Sequence, residues 1–245
     1  VPIQYARSLI GTERSATANL HLGALLAFVA GAINAGGYLA VHQYTSHMTG
    51  IVSAMANNLA SGAYELALAG LGAILSFMAG AACTAIMVNH SRRQRARMVA
   101  AGPLLLEAVL LLGFGLLGAR LTKINALFVP LTVMLLCFMM GLQNALITKL
   151  SNAEIRTTHV TGIITDIGIE LGKLLYWNDT RITTERPVQA NLGRLKVLGV
   201  LVTAFFVGGT GGALGFERLG YTACLPLALM LALLAAAPLL QDLLT

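Results

Sequence analysis

Thr45-Ser46-His47-Met48-Thr49-Gly50 and Thr157-Thr158-His159-Val160-Thr161-Gly162 are two versions of one motif in a single chain. Each follows the end of a long apolar segment that carries Gly-x-x-Asn-Ala, at Gly31 to Ala35 and again at Gly141 to Ala145. The chain therefore reads as a duplication. Both copies set a histidine and a Thr-Gly step in front of a helical stretch too short to cross a bilayer, and this repeated step is where function is expected.

Working outward, the composition places the duplication in lipid. Of 245 residues, 57% are hydrophobic and 11% charged, with a mean hydropathy of +0.77, against about 25% charged in a soluble domain. Six stretches approach the roughly 20 apolar residues that a hydrocarbon core requires: His21 to Val41, Tyr64 to Asn89, Met98 to Ala119, Ala126 to Thr148, Val197 to Phe216 and Tyr221 to Leu240. Cys83, Cys137 and Cys224 lie inside apolar segments at spacings that match no metal motif, so they read as packing residues. Residues 1–20 hold Arg7 and Arg14 but no short apolar core with a small-residue cleavage site. The first long helix is therefore expected to be a retained anchor. The net charge of +6 is assigned to membrane topology, and nucleic acid is not expected as a partner.

Two shorter stretches decide that topology. Thr49 to Ala60 is about 18 Å long as a helix, roughly half a bilayer, and its counterpart runs from Thr161 to about Trp177. If all eight elements cross, the Lys and Arg residues divide 7 to 9 between the two sides; if both short helices are re-entrant, they divide 13 to 3. The positive-inside rule selects the second arrangement. The expected fold is an all-α polytopic membrane protein with six transmembrane helices, two short re-entrant half-helices and both termini cytoplasmic. Three crossings per half make the halves two inverted-topology repeats, residues 21–122 and 123–245, behind a cytoplasmic segment 1–20. Phe77-Met78-Ala79-Gly80 aligned with Phe206-Val207-Gly208-Gly209 is a third landmark, and the extra length of the second half falls in the polar loop Asn178 to Ala190. Inverted repeats with interrupted helices are a recurring plan of secondary transporters.

The candidate site follows from these motifs. Thr49 and Thr161 would open the half-helices near the midplane, where free N–H groups and the helix dipole favour an anion; capping fits them equally. Gly50 and Gly162 permit close approach of a ligand or of another backbone. His47 and His159 are a matched pair able to bind substrate, relay protons or only donate to a carbonyl. Asn34 and Asn144 repeat one another and suit either ligand contact or the backbone of broken helices. Glu107, in the middle of an apolar run, is the candidate for proton coupling, or else a neutral acid joining two helices. Asp166, Glu170 and Lys173 form a stripe on the second half-helix, read as a vestibule lining or as a salt-bridged face.

At these positions the chain resembles the YoaK-like family of bacterial membrane proteins, a domain of unknown function. The resemblance rests on Ala30-Gly31-Ala32-Ile33-Asn34-Ala35 with His47-Met48-Thr49-Gly50, and on Met140-Gly141-Leu142-Gln143-Asn144-Ala145 with the second motif. It implies a bacterial inner-membrane location and names no substrate. Members usually carry an aspartate where this chain has Asn34 and an asparagine where it has Ile51. If that aspartate is a proton or cation ligand in relatives, its loss here implies lost coupling.

The function expected is a small-solute transporter or channel-like permease with a midplane site between the half-helices, its substrate anionic and proton-coupled if the dipole and Glu107 are used. A non-transporting membrane subunit or scaffold is the alternative. An intramembrane enzyme or metal protein ranks last, since no His-Glu-x-x-His, Gly-x-Ser-x-Gly or Cys-x-x-Cys motif occurs. No cofactor is implied. The expected partners are the bilayer and a small molecule or ion, with a homo-oligomer or partner subunit left open.

Overall fold

The apolar stretches fold as helices in the computed structural model, which describes residues 2–11, 14–96, 98–121, 125–151, 155, 157–178 and 187–244; no strand occurs among the described residues. The helices are α1 (Pro2–Ile10), α2 (Ala16–Val41), α3 (Met48–Ala60), α4 (Tyr64–Arg93), α5 (Ala101–Leu121), α6 (Asn125–Leu150), α7 (Val160–Leu175), α8 (Leu192–Leu219) and α9 (Cys224–Leu244). Their limits have local causes. Ser15 starts α2 by accepting from the Ala18 N–H, and Asn191 starts α8 by accepting from the Arg194 N–H. His42 ends α2 in the left-handed conformation, and Gly220 ends α8 at φ 60°. A 3-10 turn, Gly220–Ala223, then leads into α9. The part of the polar loop from 179 to 186 lies outside the described residues. So do Arg97, Lys123, Arg156, Arg181 and Arg186 of the charge count.

Among the described residues, four stretches are long and apolar enough to cross a membrane: Ala16–Val41, Tyr64–Arg93, Val129–Leu150 and Leu192–Ala236. The last has 45 residues and runs through the 3-10 turn; Ala101–Leu116 is apolar but shorter.

Residues 1–20 also hold α1, which the charge pattern did not anticipate. It buries Leu9 and Ile10, and the Ile10 carbonyl accepts from the Ala100 N–H at 3.3 Å. Tyr5 Oη lies 2.6 Å from His21 Nδ1, fastening α1 to α2.

The long helices pair across the two halves of the sequence: α2 packs on α8, α4 on α6 and α5 on α9. One device serves both of the first two pairs. Each of these four helices carries Phe-x-x-Gly, ending at Gly31, Gly80, Gly141 and Gly208. A β-carbon on Gly208 would overlap the Phe28 carbonyl oxygen, and one on Gly31 the Phe205 carbonyl. Gly141 stands in that relation to Phe77, and Gly80 to Phe138. Small residues let backbones touch where lipid supplies no hydrophobic drive. The contacts also correct the alignment: Gly80 matches Gly208, so Phe77 matches Phe205 and not Phe206.

Between the pairs, α2 meets α6. A β-carbon on Gly37 would lie 3.0 Å from Leu136, and one on Gly23 3.0 Å from Ile155, beyond the end of α6. The two helices are therefore antiparallel. At the N-terminal end of α2 the last carbonyls of α6 are closed by arginines, Arg92 Nη2 to Lys149 O at 3.2 Å and Arg14 Nη2 to Leu150 O at 2.5 Å. Burial first, and the neighbouring Arg92 second, hold the Arg14 pKa below its ordinary value.

Candidate functional site

Both short helices begin one residue earlier than the Thr-Gly step suggests. His47 and His159 are the residues at the cap position, neither making a side-chain capping bond. Thr49 and Thr161 are consequently inside the first turn rather than capping it. Gly50 and Gly162 sit beneath the histidine rings: a β-carbon on Gly50 would stand 2.8 Å from His47 Nδ1, and one on Gly162 would overlap His159 Nδ1. The repeated glycine thus makes room for the repeated histidine. Burial repeats residue by residue as well, with Thr45 and Ile51 buried around an exposed His47, and Thr157 and Ile163 buried around an exposed His159.

The return loops carry polar atoms inward. Thr45 and Thr157 are fully buried, and neither hydroxyl has a hydrogen-bond partner. Asn34 Oδ1 accepts from Ser46 Oγ at 2.8 Å and from the Ser46 N–H at 3.3 Å, tying the first loop to α2. Asn144 has no such tie. Its Oδ1, and both side-chain polar atoms of the buried Gln143, are without partners.

Two clefts open from these loops, and they share no lining residue. One, of about 570 Å³, lies against His47 and Gly50 on α3, with walls from α4 and α6. The other, of about 920 Å³, lies against His159, Thr161 and Gly162 on α7, with walls from α2 and α8. The first reaches His42 past the C-terminal end of α2, the second Ala16 and Asn19 in its first turn. The clefts are therefore at opposite ends of a helix about 39 Å long at 1.5 Å per residue. This corrects the expectation of one centre holding both histidines. The cross-paired helices meet backbone to backbone in the middle, while α3 rests on α4 and α7 on α8.

The remaining candidates scatter. Asp166 lines the His159 cleft and pairs with Arg194 at 2.9 Å. Glu170 is buried outside it, accepting from Lys173 Nζ at 2.8 Å and from the Asn191 N–H at 2.7 Å. The Lys173 bond first, then the Asn191 bond, hold its carboxyl below the usual range. Glu170 thus ties α7 to the start of α8. Glu107 on α5 is fully buried, lines neither cleft, and has no partner for either carboxyl oxygen. Among the described residues no three His, Cys, Asp or Glu side chains group as metal ligands.

Aligned on Gly31 with Gly141, His47 with His159 and Gly80 with Gly208, the two clefts match wall for wall. Asn19, Asp166 and Arg194 of one stand where the other has Val129, Ala54 and Leu66. Reading the repeats singly misses Asn19 and Arg194, whose significance is visible only in this contrast. Thr45 and Thr157 were legible as repeated motif positions.

This is a helical, strongly apolar protein with several stretches able to cross a membrane. Its chain belongs to the DUF1275 family of proteins of unknown function, whose family model matches residues 22–237. Comparison with curated proteins finds no match, and comparison with solved structures finds none.

Proposed function

We propose that the protein is a small-solute transporter or channel-like permease of the bacterial inner membrane. The reading takes α2, α4, α5, α6, α8 and α9 as six crossings, α3 and α7 as re-entrant half-helices, and the two halves as inverted repeats of a YoaK-like protein with cytoplasmic termini. The observation that carries it is the pair of clefts at opposite ends of α2, each reaching a histidine-capped helix start backed by a buried, unpartnered threonine. Buried polar atoms without partners are disfavoured in lipid; Thr45, Thr157, Gln143 and Asn144 line neither cleft, and a solute path continuing inward from the clefts would supply their partners.

Orientation has support at both ends. Arg14, Arg92 and Arg194 lie at the N-terminal end of α2, by the His159 cleft, and this basic cluster supports a cytoplasmic side for that end. Exposed aromatic residues follow the half-helices, Tyr64 after α3 and Tyr176 with Trp177 after α7, where headgroups would hold them. The first turns of α2, α7 and α8 all border the His159 cleft, which favours the negative end of a solute. Glu107 is the proposed proton-coupling group.

Reconstitution in liposomes tests the proposal: solute flux should appear with the protein and depend on pH, and Glu107→Gln should remove that dependence while the protein still folds. The backbone-tight pairs α2/α8 and α4/α6 favour a scaffold as the second reading. Failure of every solute in a broad library to shift thermal unfolding or to cross the liposome would select it.

A further inference from the structure

The charged side chains of the His159 cleft have no counterpart in the other. Asp166 on α7 and Arg194 on α8 face each other at 2.9 Å, with 38% and 54% of their side chains exposed. A pair this open to solvent holds its helices weakly. The matching wall of the other cleft carries Ala54 and Leu66, so the same helix arrangement forms there with no ion pair at all. The architecture does not require these charges, and a ligand can part them.

The chemistry of the pair limits which ligand can do so. A simple anion taking Arg194 would leave Asp166 unpaired in the cleft wall, and a simple cation taking Asp166 would strand Arg194. A solute bearing both charges re-pairs both. We propose, resting on the reading of this cleft as a solute site, that it selects small zwitterions, the carboxylate going to the Arg194 fork and the ammonium to Asp166. The direction follows from placement: Arg194 lies in the first turn of α8, where the dipole adds to its charge, while Asp166 lies well beyond the first turn of α7. Asn19, whose Oδ1 receives Arg14 Nε at 2.9 Å, completes the wall with a neutral amide. The cleft, at about 920 Å³, has room for an amino acid and its water.

Equilibrium binding of glycine, acetate and methylammonium to the full chain in detergent, at matched ionic strength, tests the proposal. Glycine should bind, with the other two at least about tenfold weaker. Arg194→Leu and Asp166→Ala, the residues the opposite cleft already carries, should each weaken glycine by about tenfold or more, with Arg194→Gln and Asp166→Asn replacing them if either unfolds. The charge-reversed double variant, Asp166→Arg with Arg194→Asp, should regain part of the glycine binding that either single variant loses, while acetate and methylammonium stay weak. Asn58→Ala, in the His47 cleft, should bind glycine as the unaltered chain does. Acetate binding as well as glycine, unchanged affinity in Arg194→Leu, or no recovery in the reversed pair would each overturn the proposal. Glycine binding without any liposome flux supports this site and defeats the permease reading. Solute flux indifferent to Asp166 and Arg194 does the opposite.

Discussion

The His47 and His159 clefts have matching frames and unlike linings. In both, a histidine caps a short helix, a glycine three residues on makes room for its ring, and a buried threonine stands behind. Around one mouth lie Asn19, Asp166 and Arg194; around the other, Val129, Ala54 and Leu66. The glycine beneath the histidine ring, common to both clefts, belongs to the backbone plan, since it makes the same room in each copy. Features in one alone are free of that constraint, and chemistry specific to one cleft is to be sought among them.

The shared frame can be broken most severely at the helix crossings. Gly141→Ala and Gly208→Ala each drive a β-carbon into a neighbouring carbonyl oxygen, and backbone cannot swing aside as a side chain can. Each should lower stability by about 2 to 3 kcal/mol, by nearly equal amounts in denaturant unfolding; a large inequality would break the equivalence of the two helix pairs. The ring pockets should yield more gently. Gly162→Ala meets only a histidine ring, so it should shift stability by about 1 kcal/mol or less, and Gly50→Ala by less again, with displaced imidazole NMR signals as the readout.

Glu170 sharpens the contrast, because its counterpart on α3 is Asn58, which does not titrate. A carboxyl whose folded pKa is depressed stabilises fully above its unfolded value, about 4.3, and loses that contribution as pH falls through the folded value. Melting temperature should therefore drop on acidification below about pH 4, and Glu170→Gln should flatten the drop in that window. The smallest effect is expected from grafting charges onto the apolar mouth. Ala54→Asp with Leu66→Arg should change stability by about 0.5 kcal/mol or less, yet raise the number of glycine molecules bound if the pair alone makes the site.

Much of this plan was legible in the sequence because it is local. A short helix announces its length, and the sequence places its start within one residue, the difference arising because a histidine holds the cap position that threonine usually fills. What escaped was long-range. Consecutive phenylalanines at 205 and 206 and glycines at 208 and 209 allow two registers, and only the contact with Phe28 selects between them. The separation of the histidines depends on α2 meeting α8 and α6 meeting α4, pairings that no periodicity within a helix encodes. Short α1 went unseen because its apolar face covers too few residues to stand out beside the long runs.

In the exchange of long helices between halves, α2 finds its closest fit in α8, and α4 in α6. Neither half carries the mate of its own principal helix, so a half produced alone has an open face shaped for something it lacks. Cut between residues 121 and 125 and supplied as two polypeptides, the protein should reassemble by complementation. A single half, to bury the same helix faces, would have to associate with a second copy as an intertwined pair.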